Sequence, residues 1–145
     1  MYFNVEFEHA KNDWRKFEND AANVFENFDY DVDRDVRFKT DRRFQIDFIA
    51  YGGKRAFFVD CKNHGYIPPE KEREFMEKQK KRAESFLRNG KNGGKTNVVL
   101  LVTKNRTNSL LWHAEGKRKI YSVDLQSLPH LLKDIERYEE ELVVF

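Results

Sequence analysis

Phe44 to Asn63, FQIDFIAYGGKRAFFVDCKN, decides the reading of this 145-residue chain. Its first arm alternates: Phe44, Ile46, Phe48 and Ala50 point one way, and Gln45, Asp47, Ile49 and Tyr51 the other. Gly52-Gly53 then offers a turn with the left-handed freedom of a tight hairpin. The second arm, Arg55 to Lys62, is rich in Phe and Val, as a strand buried on both faces would be. Within it Ala56, Phe58, Asp60 and Lys62 share one face, and Phe57, Val59 and Cys61 the other. Asp60 and Lys62 therefore emerge side by side, with Asp47 in reach on the neighbouring strand. Two carboxylates and an ammonium at the end of a buried hairpin are costly to fold unless something binds there. A divalent metal is the expected occupant.

A chain of this length is most simply a single domain, with room for one real core. Charged residues make up 36% and aromatics 14%, a composition too aromatic and too balanced in sign for a disordered chain. The net charge of +2 says little about partners, because local clusters matter more than the sum. A single cysteine excludes an internal disulfide framework and any zinc site built from cysteine pairs, and it fits a reducing, cytoplasmic setting. MYFNVEFEHAKND has no basic region followed by an apolar run, so no signal peptide is expected, and no apolar run approaches a membrane span.

Tyr2 to Glu8 alternates weakly and fits either a short strand or an arm, and Asn12-Asp13 offers a helix N-cap. From Trp14 to Phe28, Trp14, Phe17, Ala21, Val24, Phe25 and Phe28 recur at helical spacing. Glu18 falls on or beside that stripe, where it either needs a partner or keeps its head in water at the edge. Asp29 to Asp35 reads as a turn, Val32, Val36 and Phe38 as a first strand, and Lys39 to Arg43 as a basic connection. After the hairpin, HGYIPPE is a loop leading into a helix from about Glu70 to Arg88. Phe75, Met76, Gln79, Ala83, Phe86 and Leu87 form its buried stripe, and the central Gln79 must be hydrogen-bonded. Its other face carries Lys71, Lys78, Lys80, Lys81 and Arg88, which by itself describes an ordinary solvated face. Asn97 to Thr103 reads as a central buried strand, Ile120 to Val123 as a further one, Ser127 to Tyr138 as a second-layer helix, and Leu142 to Phe145 as an apolar tail. Lys104 to Lys119 has no clear assignment. Helices on both sides of a mixed sheet would bury every one of these stripes.

Glu18 in a first helix, Asp47 on the middle strand and Asp60-Cys61-Lys62 on the next strand resemble the PD-(D/E)xK nuclease superfamily, which includes type II restriction enzymes, archaeal Holliday junction resolvases and Mrr-like endonucleases. The spacing of thirteen between Asp47 and Asp60, and the hairpin between them, match as well. Gln79 resembles a glutamine that some Mrr-like and RecB-like members carry in the following helix. The likeness spans about Trp14 to Thr103, with residues 119–145 as an elaboration. No proline precedes Asp47, and a cysteine stands between Asp60 and Lys62. The resemblance implies an α/β fold with a restriction-endonuclease-like core, a central mixed sheet flanked by helices in αβββαβ order.

The activity implied is Mg²⁺- or Mn²⁺-dependent hydrolysis of DNA phosphodiesters, with branched DNA such as a Holliday junction as the expected substrate. Such a reaction needs an in-line water and stabilisation of charge on the phosphoryl oxygens and the leaving alkoxide. Mg²⁺ takes hard oxygen ligands and needs only one or two carboxylates. By resemblance, Asp47, Asp60 and the Cys61 backbone carbonyl would hold it, with Glu18 ligating directly or through water. Lys62 would orient or deprotonate the attacking water, and Gln79 would position Lys62 or the substrate. His64 stays outside this set, and Cys61 points its thiol away from the carboxylates into the core. Lys39, Arg42, Arg43, Lys54 and Arg55 flank the hairpin and, with Lys78 and Lys81, are expected to form a phosphate-binding rim. The bland competitor is a same-face Asp60–Lys62 ion pair beside an isolated edge charge at Asp47. Two other functions compete: a nuclease-fold module that binds nucleic acid or a protein without turnover, and an RNA-directed nuclease. Resolvases act as dimers, so Leu142 to Phe145 or Leu110-Leu111-Trp112 is a candidate homodimer surface. No small-molecule cofactor is expected.

Overall fold

A computed structural model describes residues 2–63, 67–88, 94–104 and 119–145, with side chains from Asp13 onward. The first element, α1, runs Tyr2–Asn27, so Tyr2 to Glu8 is helical and Asn12-Asp13 lies inside the helix and does not cap it. The sequence carries the reason: Phe3, Phe7 and Ala10 continue the three-four spacing of Trp14, Phe17 and Ala21.

α1 stops in a Schellman motif. Asp29 takes a left-handed φ of 67°, and the N–H groups of Asp29 and Tyr30 donate to the carbonyls of Glu26 (3.0 Å) and Phe25 (3.1 Å). The accompanying apolar contact sets the Tyr30 ring edge-on to Phe25, with centroids 5.4 Å apart. The turn is thus complete by Tyr30, and β1 (Asp31–Lys39) takes in most of the acidic stretch read as a turn.

β1, β2 (Arg43–Tyr51) and β3 (Arg55–Lys62) are consecutive antiparallel strands. α2 (Pro69–Arg88) crosses over to β4 (Thr96–Thr103), which lies parallel to β3, and β5 (Ser122–Asp124) lies parallel to β4. A short α3 (Leu128–Lys133) and a 3₁₀ helix (Ile135–Glu141) replace the single helix expected over Ser127 to Tyr138. The tail Leu142 to Phe145 is structural: β6 (Val143–Val144) pairs antiparallel with β4, Leu142 is buried, and Phe145 packs 5.4 Å from Phe58. The sheet order is β1-β2-β3-β4-β5, a mixed sheet with β1 as its charged and largely exposed outer strand.

α1 and α3 cover one face through Phe17, Ala21, Phe25, Leu128 and Leu131 against Phe48, Phe57, Val59, Leu100 and Val102. α2 covers the other, where Ala83 and Met76 meet Ile46, Ile49, Phe58, Val99 and Leu101. The alternation of β2 slips between Ile46 and Phe48, so Ile46 shares a face with Ile49. β1 slips with it, since Val32 packs on the α1 side and Val36 and Phe38 on the other. The break lies where Asp35 (φ 50°) would face Asp47, a pair missing from an otherwise continuous register.

Gly52 and Gly53 do not adopt left-handed φ. Gly52 is needed for space, because a Cβ there would stand 2.5 Å from the Tyr30 ring.

Candidate active site

The β2–β3 ladder ends at Phe48–Val59. Beyond it Asp47 Oδ2 accepts a 2.7 Å hydrogen bond from the Cys61 backbone N–H, standing in for a missing strand partner. The N–H and C=O of a strand residue face the same neighbour, so the Cys61 carbonyl also turns toward this gap. Its thiol lies on the α1 side in the core, as the alternation requires, and burial with the three carboxylates nearby pushes its pKa well up. It is a packing residue. Asp60 and Lys62 emerge on the α2 side, where Lys62 Nζ lies 3.0 Å from Asp60 Oδ2 and 4.3 Å from the centre of the Phe75 ring. The ion pair is close but poorly angled, leaving the buried Oδ2 without a hydrogen bond.

Glu18 on α1, Asp47 on β2 and Asp60 on β3 line one cleft of about 740 Å³. Burial, then the charge of Asp60, push the Asp47 carboxyl up to about 8, against the Cys61 N–H bond; Glu18 adds a smaller push. Glu18 is raised chiefly by its own burial, opposed by a donor contact from the Trp14 side chain, with Asp35 and Asp60 adding repulsion. Negative charge is therefore crowded here beyond what the protein alone compensates.

Among the described residues, no three His, Cys, Asp or Glu side chains are gathered tightly enough to be a ready ligand set. Glu18, Asp47 and Asp60 nonetheless share one cleft, where Asp60 acts on Asp47 more strongly than Glu18 does. A pair of hard oxygen donors on adjacent strands still fits Mg²⁺, which binds through one or two carboxylates and keeps its waters.

The basic residues divide. Arg42, Arg43, Lys78 and Lys81 line the cleft, as does Arg82, which the sequence reading missed because it lies between the buried and charged stripes of α2. Trp14, from the apolar stripe of α1, and Phe44, from the alternating first arm, are also in its walls. Lys39 lies in an adjoining depression with Arg37, Phe38 and Phe44. Lys54 and Arg55 belong to the far end of the hairpin and pair with the 3₁₀ helix, Lys54 with Glu136 (3.5 Å) and the buried Arg55 with Glu139 (3.2 Å). They do not join the rim, because flanking the turn places them at the end opposite Asp47 and Asp60. Gln79 is fully buried; its Oε1 accepts from Arg82 (3.3 Å), and its Nε2 has no hydrogen-bond partner among the described residues. Its contact is to Arg82 and not to Lys62. His64 and Leu110-Leu111-Trp112 lie outside the described residues.

The sequence of residues 13–123 matches the family model of the nuclease-related domain, NERD. The chain belongs to the NERD family. That family is part of the restriction-endonuclease-like PD-(D/E)xK group, so the domain is nuclease-like in lineage as well as in strand order. No curated protein matches its sequence significantly. Two solved structures are similar to the domain. One, a protein of unknown function called AF1548, is 13% identical with a TM-score of 0.49 over 79% of this chain and 60% of its own. The other, protein VC1899 from Vibrio cholerae, is 12% identical with a TM-score of 0.44 over 86% of this chain and 32% of its own. The NERD domain thus spans less than two thirds of either chain. None of its described helices is long and apolar enough to cross a membrane.

Proposed function

We propose that this NERD domain is a Mg²⁺- or Mn²⁺-dependent nuclease that hydrolyses DNA phosphodiester bonds, with branched or structured DNA as its substrate and the cytoplasm as its setting. One observation carries the reading: buried, mutually repelling carboxylates at the floor of a cleft whose walls are arginine and lysine. Anionic floor and cationic walls are mismatched to each other unless a cation covers the first and phosphates the second.

Asp47, Asp60 and the Cys61 carbonyl would hold the metal, with Glu18 reaching it through water. The bound ion would stabilise charge on the phosphoryl oxygens as a Lewis acid. Lys62, held beside Asp60, orients the attacking water and faces the scissile phosphate. Arg43, Lys78, Lys81 and Arg82 hold the flanking phosphates. Gln79 acts as a positioning residue for Arg82. A homodimer is the assembly that paired cuts on a four-way junction would require.

The test is cleavage of junction, flap, duplex, single-stranded DNA and RNA substrates with Mg²⁺ or Mn²⁺, beside Asp60→Ala and Lys62→Ala. Cutting that is lost in both variants supports the reading. Variants that cut as fast as the parent, or RNA cleaved in preference to every DNA, would overturn the site or the substrate respectively.

A further inference from the structure

We propose that the cleft admits an unpaired strand, with bases stacking on Trp14 and on the Arg42 guanidinium. This rests on the nuclease reading and names the substrate class within it. Trp14, half-buried on α1, and Phe44 on β2 are in the walls of the same cleft as Asp47 and Asp60. Phe44 is not a bare ring. Phe38 stacks on it with centroids 5.2 Å apart and planes 15° from parallel, and the Arg42 guanidinium lies 4.8 Å from its centroid. Beside the β1–β2 turn two rings are thus stacked with a guanidinium close to one of them, while α1 supplies an indole.

Indole and guanidinium planes are surfaces on which splayed-out bases rest. Against a duplex, whose bases face one another, they have no such use. Arg43, Lys78 and Arg82 line the cleft alongside these planes, so phosphates and bases of one strand meet different groups in a single channel. A flap or a frayed branch presents such a strand next to duplex, and a fully paired junction does not.

Replacing Trp112 by Phe leaves Trp14 as the single tryptophan, because the chain has two. Its emission is followed during metal-free titration with oligo-dT, oligo-U and a hairpin duplex of equal length. The expected result is quenching by single strands and at least about tenfold tighter binding of them than of duplex, with Arg42→Lys, which keeps the charge and loses the plane, weakening single-strand binding about tenfold and duplex binding by less. The dT and U arms tell DNA from RNA. If duplex binds equally well, or single strands bind without quenching, while cleavage persists, the proposal falls and the nuclease reading stands. If no nucleic acid is bound or cut, both fall together.

Discussion

Asp47 closes the gap left by the end of the β2–β3 ladder, its carboxylate accepting the Cys61 N–H at 2.7 Å while Asp60 crowds it from the adjacent strand. Structure and charge therefore make opposite demands on one side chain. Asp47→Asn separates them, since an amide oxygen can still accept from Cys61 but carries no charge. We expect the variant to melt higher than the parent at pH 8 without metal, and to lose at least about a hundredfold in cleavage. Thermal denaturation and a single-turnover assay on the same preparation check both halves.

The same shift fixes a pH dependence. Folding raises the Asp47 carboxyl from about 3.8 to about 8, so between these values the folded state holds a proton that the unfolded chain has released. Stability contributed by this group is full at the acid end and falls as pH rises, by at most ~1.4 kcal/mol per unit, levelling off above about 8. Glu18, also raised, acts in the same direction. Melting curves from pH 5 to 8 in EDTA should show the decline, Asp47→Asn should flatten it, and Mg²⁺ should restore stability most at the alkaline end.

The two glycines of the β2–β3 turn are unequal. Gly52→Ala drives a Cβ into the Tyr30 ring, which is packed against Phe25 and Phe57, and should cost about 1–3 kcal/mol. Gly53→Ala meets nothing within 4 Å and should be near neutral. Urea midpoints of the two variants decide it.

Asp29 holds the left-handed position of the α1 Schellman motif, a place that suits glycine better. Asp29→Gly should stabilise by about 0.5–1 kcal/mol, and Asp29→Val should destabilise by more than that, again read from urea midpoints.

Salt dependence tests the proposed phosphate-binding rim. Arg43→Ala, Lys78→Ala and Arg82→Ala should each lower the slope of log affinity against log salt by about 0.7 for single-stranded DNA. Lys54→Ala, whose partner is Glu136, should leave the slope unchanged.

Strand order and the positions of Glu18, Asp47, Asp60 and Lys62 were legible in the sequence, because periodicity reports which face a residue takes. What periodicity hides is where it breaks. Nothing in FQIDF signals that Asp35 turns left-handed and shifts both strands by a face, since aspartate tolerates that conformation without requiring it. The rim was misjudged at Lys54 and Arg55 for a related reason. Closeness in sequence to Asp47 and Asp60 is not closeness to their end of the strands, and a hairpin carries its turn to the opposite side. Arg82 is hidden because it falls between the buried and charged stripes of α2, where neither pattern singles it out.

The outermost strand has a bearing on how this domain tolerates crowding. β1 presents Asp31, Asp33, Arg34, Asp35, Arg37 and Lys39 along a border with no further strand beside it among the described residues. A second copy adding itself there would have to desolvate and align those charges at every step. The border therefore resists runaway stacking of sheets, and copies of the domain can be held close together without fusing into fibres.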